Sequence, residues 1–300
     1  MNQVVKLGKP IYSFSKDHQP VFHTKPGERL TVETYDCFEN QITSSDTNIS
    51  GIDWNRINPA TGPIYVETAQ PGDALAVTIH HIDIHDRGVL VTGANIGVMG
   101  HRIDGFDVKM VPIKDGKAIF NDKVHIPLNK MIGVIGVAPE KEAVPCGTPG
   151  NHGGNLDTKL ITEGATIYFP VFHEGALFGL GDMHAAMGDG EIGASGIEIG
   201  GKVDLTVDVL KAKNLRHPVV VNDEGVSVLV SADTLDDAIK TAVEEMIDLL
   251  LPHLDMSLSE LTMLMSAIGQ TQISQIVDPK LTARFFVPKW FLDACDVKLF

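Results

Sequence analysis

From Arg29 to about Gly225, apolar residues come in short runs, several alternating with polar ones, and the runs are separated by Gly, Pro, Asn or Asp. A period of two turns one face of an extended chain inward and the other toward water. The segments Leu30–Thr34, Ile64–Thr68, Leu75–Ile82, Lys109–Ile113, Ile132–Val137, Thr166–Phe169, Ala176–Leu180 and Val203–Val209 are therefore predicted strands. Breaker clusters stand between them: NPATGP at Asn58–Pro63, QPGD at Gln70–Asp73 and KDGK at Lys114–Lys117. Short strands punctuated in this way predict a sandwich or barrel.

The period changes near Ser231. Within Thr234–Leu254, residues Leu235, Ala238, Ile239, Ala242, Val243, Met246, Ile247 and Leu250 fall on one helical face. Thr234 with Asp237 resembles a capping box, and Pro252 should end or kink the helix. A second predicted helix, Leu258–Ile268, opens at Ser257 with Glu260 three residues on and closes at Gly269. Ile273–Val277 and Arg284–Val287 then read as strands. The expected fold is mainly β, sandwich- or barrel-like, with a smaller C-terminal α/β portion. Residues 1–225 would form the β-rich body that carries the chemistry. Residues 226–300 would pack on it, or the two would form one integrated domain.

Of the 300 residues, 43% are hydrophobic and 21% charged, a balance that supports a folded core. The net charge of −15 repels phosphate backbones and anionic lipid, so neither a nucleic-acid nor a membrane partner is expected. The N-terminal MNQVVKLGKP lacks the apolar run of a signal peptide, and no apolar stretch reaches about 20 residues. Cys37, Cys146 and Cys295 are far apart and odd in number, poor material for disulfides or a thiolate zinc site. A reducing cytoplasm is the expected compartment.

Candidate chemistry concentrates in a few places. The first is GLGDMHAAMGDGEIGASGIEIGG, Gly179–Gly201. If Gly179–His184 is extended, Asp182 and His184 share a face. A carboxylate and an imidazole together suit Zn²⁺, Mn²⁺ or Fe²⁺. Gly188 and Gly190 would let the chain turn and bring Glu191 back as a ligand or general base. The competing reading is that the glycines mark tight turns and the acids cap them.

The second is GTPGNHGGNLD, Gly147–Asp157. Here Asp157 could ligate a metal, Asn155 could bind an amide, and the amides of Gly153 and Gly154 beside His152 could face an oxyanion. A surface loop with Asn155 and Asp157 stabilising turns is the plainer alternative. The third is ETYDCFENQI, Glu33–Ile42, where Glu33 and Asp36 follow an apolar strand and Cys37 has no basic neighbour in sequence to activate it. A fourth, His81, Asp83 and His85, would share a face of one strand, yet Ile82 and Ile84 opposite give the pattern of an ordinary half-buried strand. Walker A, G-x-S-x-G and H-E-x-x-H motifs are absent, and no lysine is placed to activate Ser195.

GDMHAAMGDGEIGASGIE closely resembles the hallmark of the acetamidase/formamidase family. So do HGGNLD at His152–Asp157, ETYDCF at Glu33–Phe38, NPATGPIYVETAQPGD at Asn58–Asp73 and SQIVDP at Ser274–Pro279. The blocks run in family order along nearly the whole chain. The resemblance implies hydrolysis of formamide, acetamide or similar short neutral amides to ammonia and carboxylate. It also implies a β-rich fold assembled into homo-oligomers, dimers or higher. Met187 departs from the pattern, where the common hallmark has Gln. The corresponding mechanism places a divalent metal, zinc first with manganese, iron or calcium as alternatives, on Asp36, Asp157, Asp182 and His184. Glu191 would take a proton from water and return it to the leaving nitrogen, and His152 with the Gly153–Gly154 amides would stabilise the oxyanion. Two other readings remain open. One is a cysteine-dependent amidase built on Cys37 or Cys146. The other is a Ca²⁺-dependent β-sandwich that binds carbohydrate, for which an aromatic content of 6% is thin.

Overall fold

The computed structural model describes residues 3–300. Two large sheets share one core. The first has nine strands in the order Gln3–Val5, Arg29–Thr34, Gly201–Leu210, Ala74–Ile84, Thr166–Pro170, Val219–Val221, Gly225–Ala232, Leu281–Pro288 and Gln270–Gln275. The second runs through His125–Pro127, Lys117–Ile119, Phe106–Lys114, Arg87–Gly93, Glu198–Ile199, Phe178–His184, Met131–Gly136 and Gly153–Asn155, with Ala60–Val66 pairing beside Phe178–His184 and Phe22–Thr24 beside Ala60–Val66. The protein is thus mainly β, as the spacing of its apolar runs predicts.

Alternation explains the first sheet. In Gly201–Leu210, Val203, Leu205 and Val207 point into the core while Lys202 and Asp208 are exposed. In Arg29–Thr34 the inward residues are Leu30, Val32 and Thr34. Apart from Thr34, these meet Ile132, Ile135, Phe178, Leu180 and Met183 from the second sheet in one apolar cluster. Phe178–His184 is buried at every position, because neighbours hydrogen-bond along both edges and layers cover both faces. Such a strand is normally apolar throughout. This one ends in Asp182 and His184.

Two predicted strands are displaced. Ile64–Thr68 is the end of Ala60–Val66, and Thr68 already turns with φ +68°. Ala176 and Leu177, at φ +57° and +56°, form the turn before the strand that starts at Phe178. In Ala74–Ile84 the pairing slips between Asp204 and Leu205, so that His80 is the extra residue of a bulge. His81 therefore faces Glu163, its Nδ1 at 2.8 Å on the exposed side, and the His81, Asp83, His85 trio joins no ligand cluster.

Helix Leu235–Leu250 buries Ala238, Ala242, Met246, Ile247 and Leu250 against Gly225–Ala232 and Leu281–Pro288. It passes into a 3-10 turn at Leu251–His253, which contains Pro252. Helix Leu258–Ile268 carries a closed capping box between Ser257 and Glu260. At Thr234 the box closes only halfway: Thr234 accepts from the Asp237 N–H, and the Asp237 carboxylate accepts the Thr234 hydroxyl, not its backbone N–H. Among the described residues, no helix is long and apolar enough to cross a membrane. Residues 226–300 extend the first sheet by three strands, and the turn between the last two, 276–280, reaches back to the second sheet.

Candidate active site

The centre of the molecule gathers carboxylates around one imidazole. His184 and Asp157 are each about 1% exposed. From His184 Nε2 the nearest oxygens are Glu198 Oε2 at 3.2 Å, Asp182 Oδ1 at 3.6 Å, Asp157 Oδ1 at 3.8 Å and Glu191 Oε1 at 4.0 Å. Asp157, Asp182 and Glu191 all hold left-handed backbone, with φ +38°, +50° and +44°. Each such residue costs on the order of 1 kcal/mol or more, and strain of this kind concentrates where side chains must converge.

Different elements bring these groups in. Asp182 and His184 end the buried strand Phe178–His184, and the kink at Asp182 directs its carboxylate toward the ring. Asp157 follows Gly153–Asn155. Glu198 lies on the short strand Glu198–Ile199, which pairs with His184 on one side and Val89 on the other. Glu191 sits in the Gly-rich loop, with Oε1 accepting from the Gly196 N–H at 2.9 Å. Asp278 comes from the C-terminal turn, where its Oδ2 accepts from Asn155 Nδ2 at 3.0 Å. Gln275 shapes that turn by accepting from the N–H groups of Val277 and Asp278 at 2.9 and 3.0 Å.

Gly133 makes room for the cluster. A Cβ there would lie 2.5 Å from Asp157 Oδ1, 2.8 Å from the Asp182 carbonyl and 3.0 Å from Asp182 Oδ2. Gly133→Ala is expected to cost about 1–3 kcal/mol, as overpacking does, and to push the two carboxylates apart. Chemical denaturation measures the first effect.

Arg284 ties the C-terminal portion to the loop. It is buried, and its guanidinium meets both Asp189 oxygens at 3.1 and 3.0 Å as well as the Ile273 carbonyl at 2.8 Å. Gly190 adds a backbone clasp, donating to the Ser274 carbonyl at 2.8 Å and accepting from Ile276 at 3.1 Å. Arg284→Met should lower stability by roughly 1–3 kcal/mol, because it takes a donor from the buried Ser274 hydroxyl, while the exposed Asp189 keeps Lys159 at 2.9 Å. Unfolding in urea with and without the substitution tests this.

The electrostatics are unusual. Burial pushes the carboxyls of Asp157, Glu198 and Asp278 well above the ordinary range, and that of Glu191 upward, with mutual repulsion adding to it. Burial alone would lower the His184 pKa, but the Glu198 and Asp182 carboxylates outweigh it and hold the ring protonated well above its usual range. Among the described residues, no lysine or arginine pairs with any of these five acids. Asp157 Oδ1 and Oδ2, Asp182 Oδ1 and Glu198 Oε2 are buried without a hydrogen-bond partner. Unpaired buried oxygens next to an imidazole form a donor set that fits a divalent cation. Two groupings have ligating atoms within 4.8 Å of one another: Asp157, His184 and Glu191, and Cys37, Asp182 and Glu198.

A cavity of about 520 Å³ opens onto this cluster, lined by Cys37, Asn155, Asp182, Glu191, Glu198 and Asp278 among others. Asp157 and His184 lie outside this lining. Asn155 Oδ1 is buried and unpartnered.

Sequence reasoning placed Asp157, Asp182, His184, Glu191 and Asn155 together, and here they meet. Two other candidates are corrected. Asp36 joins neither ligand grouping. Its Oδ1 accepts from the N–H groups of Phe38 and Asn40 at 2.9 and 2.7 Å, so it staples the turn after Arg29–Thr34. His152 lines a separate cavity with Lys280 and His217, and its ring packs edge-on against Phe14. Burial pushes its pKa down to about 4, so the imidazole is neutral. The Gly153 N–H is taken by the Gly150 carbonyl at 3.1 Å and is not free for an oxyanion. Met187 lines a third cavity with Leu90 and Phe120, which Glu191 also borders.

Glu198 and Asp278 escaped sequence reasoning. The signal for Glu198 was a lone charge between Ile197 and Ile199; for Asp278 it was the SQIVDP block. As nucleophiles the cysteines fare poorly. Burial and the surrounding Glu198 and Asp182 carboxylates push the Cys37 thiol well up. Cys146 is buried against the Ile11 carbonyl, and burial pushes its thiol up as well. The Ser195 hydroxyl donates to the Gly196 carbonyl at 2.8 Å.

A sequence profile described as the Acetamidase/Formamidase family matches residues 12–146 and 140–294. A formamidase of Methylophilus methylotrophus is 27% identical over 260 residues, covering 65% of this chain and 63% of that protein. An acetamidase of Mycolicibacterium smegmatis is 28% identical over 269 residues, covering 66% of this chain and 65% of that protein. The chain thus spans just under two thirds of the length of these relatives. Among solved structures, a predicted acetamidase/formamidase of Thermoanaerobacter tengcongensis superposes with TM-score 0.96 at 50% identity, covering 99% of this chain and 98% of that one. An acetamidase of Bacillus halodurans gives TM-score 0.94 at 41% identity, covering 96% and 98%. Together with the acid cluster on the motif-bearing strand and loop, these likenesses assign the chain to the acetamidase/formamidase family.

Proposed function

We propose that the chain hydrolyses short linear amides, formamide and acetamide among them, to ammonia and a carboxylate, with the help of a divalent metal, zinc first. The observation that carries this reading is the set of unpartnered buried carboxylate oxygens within about 4 Å of one imidazole nitrogen, beneath a cavity large enough for a small amide. Asp157, Asp182 and His184 would hold the metal. Bound there, a divalent cation supplies an acidified water and a Lewis-acid contact for the amide oxygen.

The chain's own groups do the rest. Glu191 borders the cavity, fixed by the Gly196 N–H, and burial raises its proton affinity. It accepts the proton of the attacking water and returns it to the departing nitrogen, which must leave as ammonia. Asn155 Oδ1 accepts an N–H of the substrate, since Asp278 occupies the other end of its side chain. His152 has no direct part; with Phe14 it packs behind the Gly153–Asn155 strand. The relatives named formamidase and acetamidase support the substrate class.

The discriminating experiment measures ammonia from a series of short amides, with calcium-dependent glycan binding as the counter-assay. Ammonia from formamide or acetamide supports the proposal. Glycan retention without ammonia release contradicts it.

A pH dependence follows. In the metal-free protein, Asp157, Glu191, Glu198 and Asp278 keep protons at pH values where unfolded carboxyls, with pKa about 4, have lost them. The neutral His152, with its pKa at about 4, adds stability as pH rises to about 6.5, but at these carboxyls the folded state binds more protons than the unfolded one, so their contribution falls as pH rises above about 4. His184 acts in the same sense: its contribution is complete below the unfolded value of about 6.5 and is lost as pH rises through the raised folded value. Metal reverses the trend, because ligands bind as deprotonated groups. Melting curves at about pH 6.5 and pH 8.5, where most of the His152 contribution is already in place, with and without zinc, should show metal-free protein weaker at the higher pH and zinc protecting most there.

A further inference from the structure

Beside the first metal site lies a second donor set that shares only Asp182 with it. Cys37 Sγ, an Asp182 oxygen and a Glu198 oxygen lie within 4.8 Å of one another. Asp182 Oδ1 and Glu198 Oε2 are each buried without a hydrogen-bond partner, and both residues are about 2% exposed. All three side chains line the same cavity. Cys37 is held there by the turn that Asp36 staples through the Phe38 and Asn40 amides. This gives Asp36 a definite job, although it ligates nothing: it positions the thiol.

We propose that Cys37, Asp182 and Glu198 form a second cation site, making the centre binuclear with Asp182 shared between the two ions. The inference rests on the metal-assisted reading above. Carboxylates that bridge paired ions typically hold them about 3.5–4 Å apart. Asp182 is suited to that place, since its Oδ1 lies 3.6 Å from His184 Nε2 while its side chain also belongs to the Cys37 grouping. A thiolate among carboxylates favours zinc or cobalt over magnesium, calcium or manganese. On binding, the Cys37 thiol gives its proton to solvent, and a sulfur–metal bond replaces the S–H bond with no change of oxidation state.

Cobalt(II) tests this, because a cobalt–thiolate bond produces a near-ultraviolet charge-transfer band that oxygen and imidazole ligands do not. Metal-stripped full-length protein is titrated with cobalt, and the retained metal is counted by elemental analysis. The expected result is two equivalents per chain, the thiolate band appearing with one of them. Cys37→Ser should lose the band and one equivalent while retaining the other, and that retained ion reports a folded site. Glu198→Gln should weaken the same equivalent. One retained equivalent without a thiolate band, unchanged in Cys37→Ser, overturns the second site and leaves the first intact. One equivalent that does show the band also overturns it, since the thiol then serves the only ion. Wild-type protein that retains no cobalt overturns both readings.

Discussion

Glu191→Gln is expected to reduce ammonia release by about 10²–10⁴-fold while bound metal stays in place, the range that follows loss of a positioned general base. The substitution preserves shape and the hydrogen bond from Gly196, because a carboxamide oxygen accepts as well as a carboxylate. What it removes is the ability to hold a proton between two steps. Glu191 is placed for that task by three features. It borders the cavity, its backbone sits at φ +44°, and burial with the nearby Asp182 charge moves its proton affinity toward that of a base working near neutral pH. The measurement is steady-state ammonia release beside metal analysis of the same preparation. A fall in metal content equal to the fall in rate would make Glu191 a ligand and not the base.

Asp157→Asn is expected to do the opposite in kind. It should abolish activity by weakening metal affinity more than about 100-fold, beyond the cost of losing a supporting outer contact. It should also stabilise the metal-free protein at pH 8. Asp157 is buried among Glu191 and Asp278, and both of its oxygens lack hydrogen-bond partners. Keeping it protonated there costs about 1.4 kcal/mol for each pKa unit of upward shift that the pH exposes. An amide carries no such cost, so a gain on the order of 1 kcal/mol or more is expected in the metal-free state. A functional site that opposes stability in this way is the usual sign of a cluster retained for chemistry. Isothermal titration with zinc and melting of the metal-free variant give both numbers.

The elements most legible in sequence were those whose signals are local. Helix Leu258–Ile268 was readable because Ser257, Glu260 and Gly269 mark both its ends. The strand Arg87–Gly93 was missed, since Gly88 and Gly93 break its apolar run; both glycines are required by neighbours, where a Cβ would lie 2.6 Å from Ile197 Cγ2 and 2.5 Å from Phe106 Cδ1. That pressure comes from partners remote in the chain.

The site follows the same division. Asp182, His184 and Glu191 stood out because titratable groups are rare inside apolar, Gly-rich surroundings. Glu198 was hidden by ordinary alternation, and only pairing with both His184 and Val89 encloses it. Asp278 depends on a turn that the chain forms 87 residues after Glu191, a placement no local pattern carries. Asp36 shows the converse: a carboxylate two residues before an amide can cap a turn as readily as bind a cation, and the turn won. At His152, the left-handed glycines Gly153 and Gly154, at φ +99° and +85°, separate its ring from the face that Asn155 presents to the acids.

The claim on which the rest depends is that this acid cluster hydrolyses amides with a bound cation. The most direct measurement is ammonia release from formamide and acetamide by chelator-stripped protein titrated back with zinc. The account predicts negligible ammonia at zero zinc and a rate that climbs with zinc until the site is filled. Full ammonia release by stripped protein, unchanged on adding zinc, would contradict it.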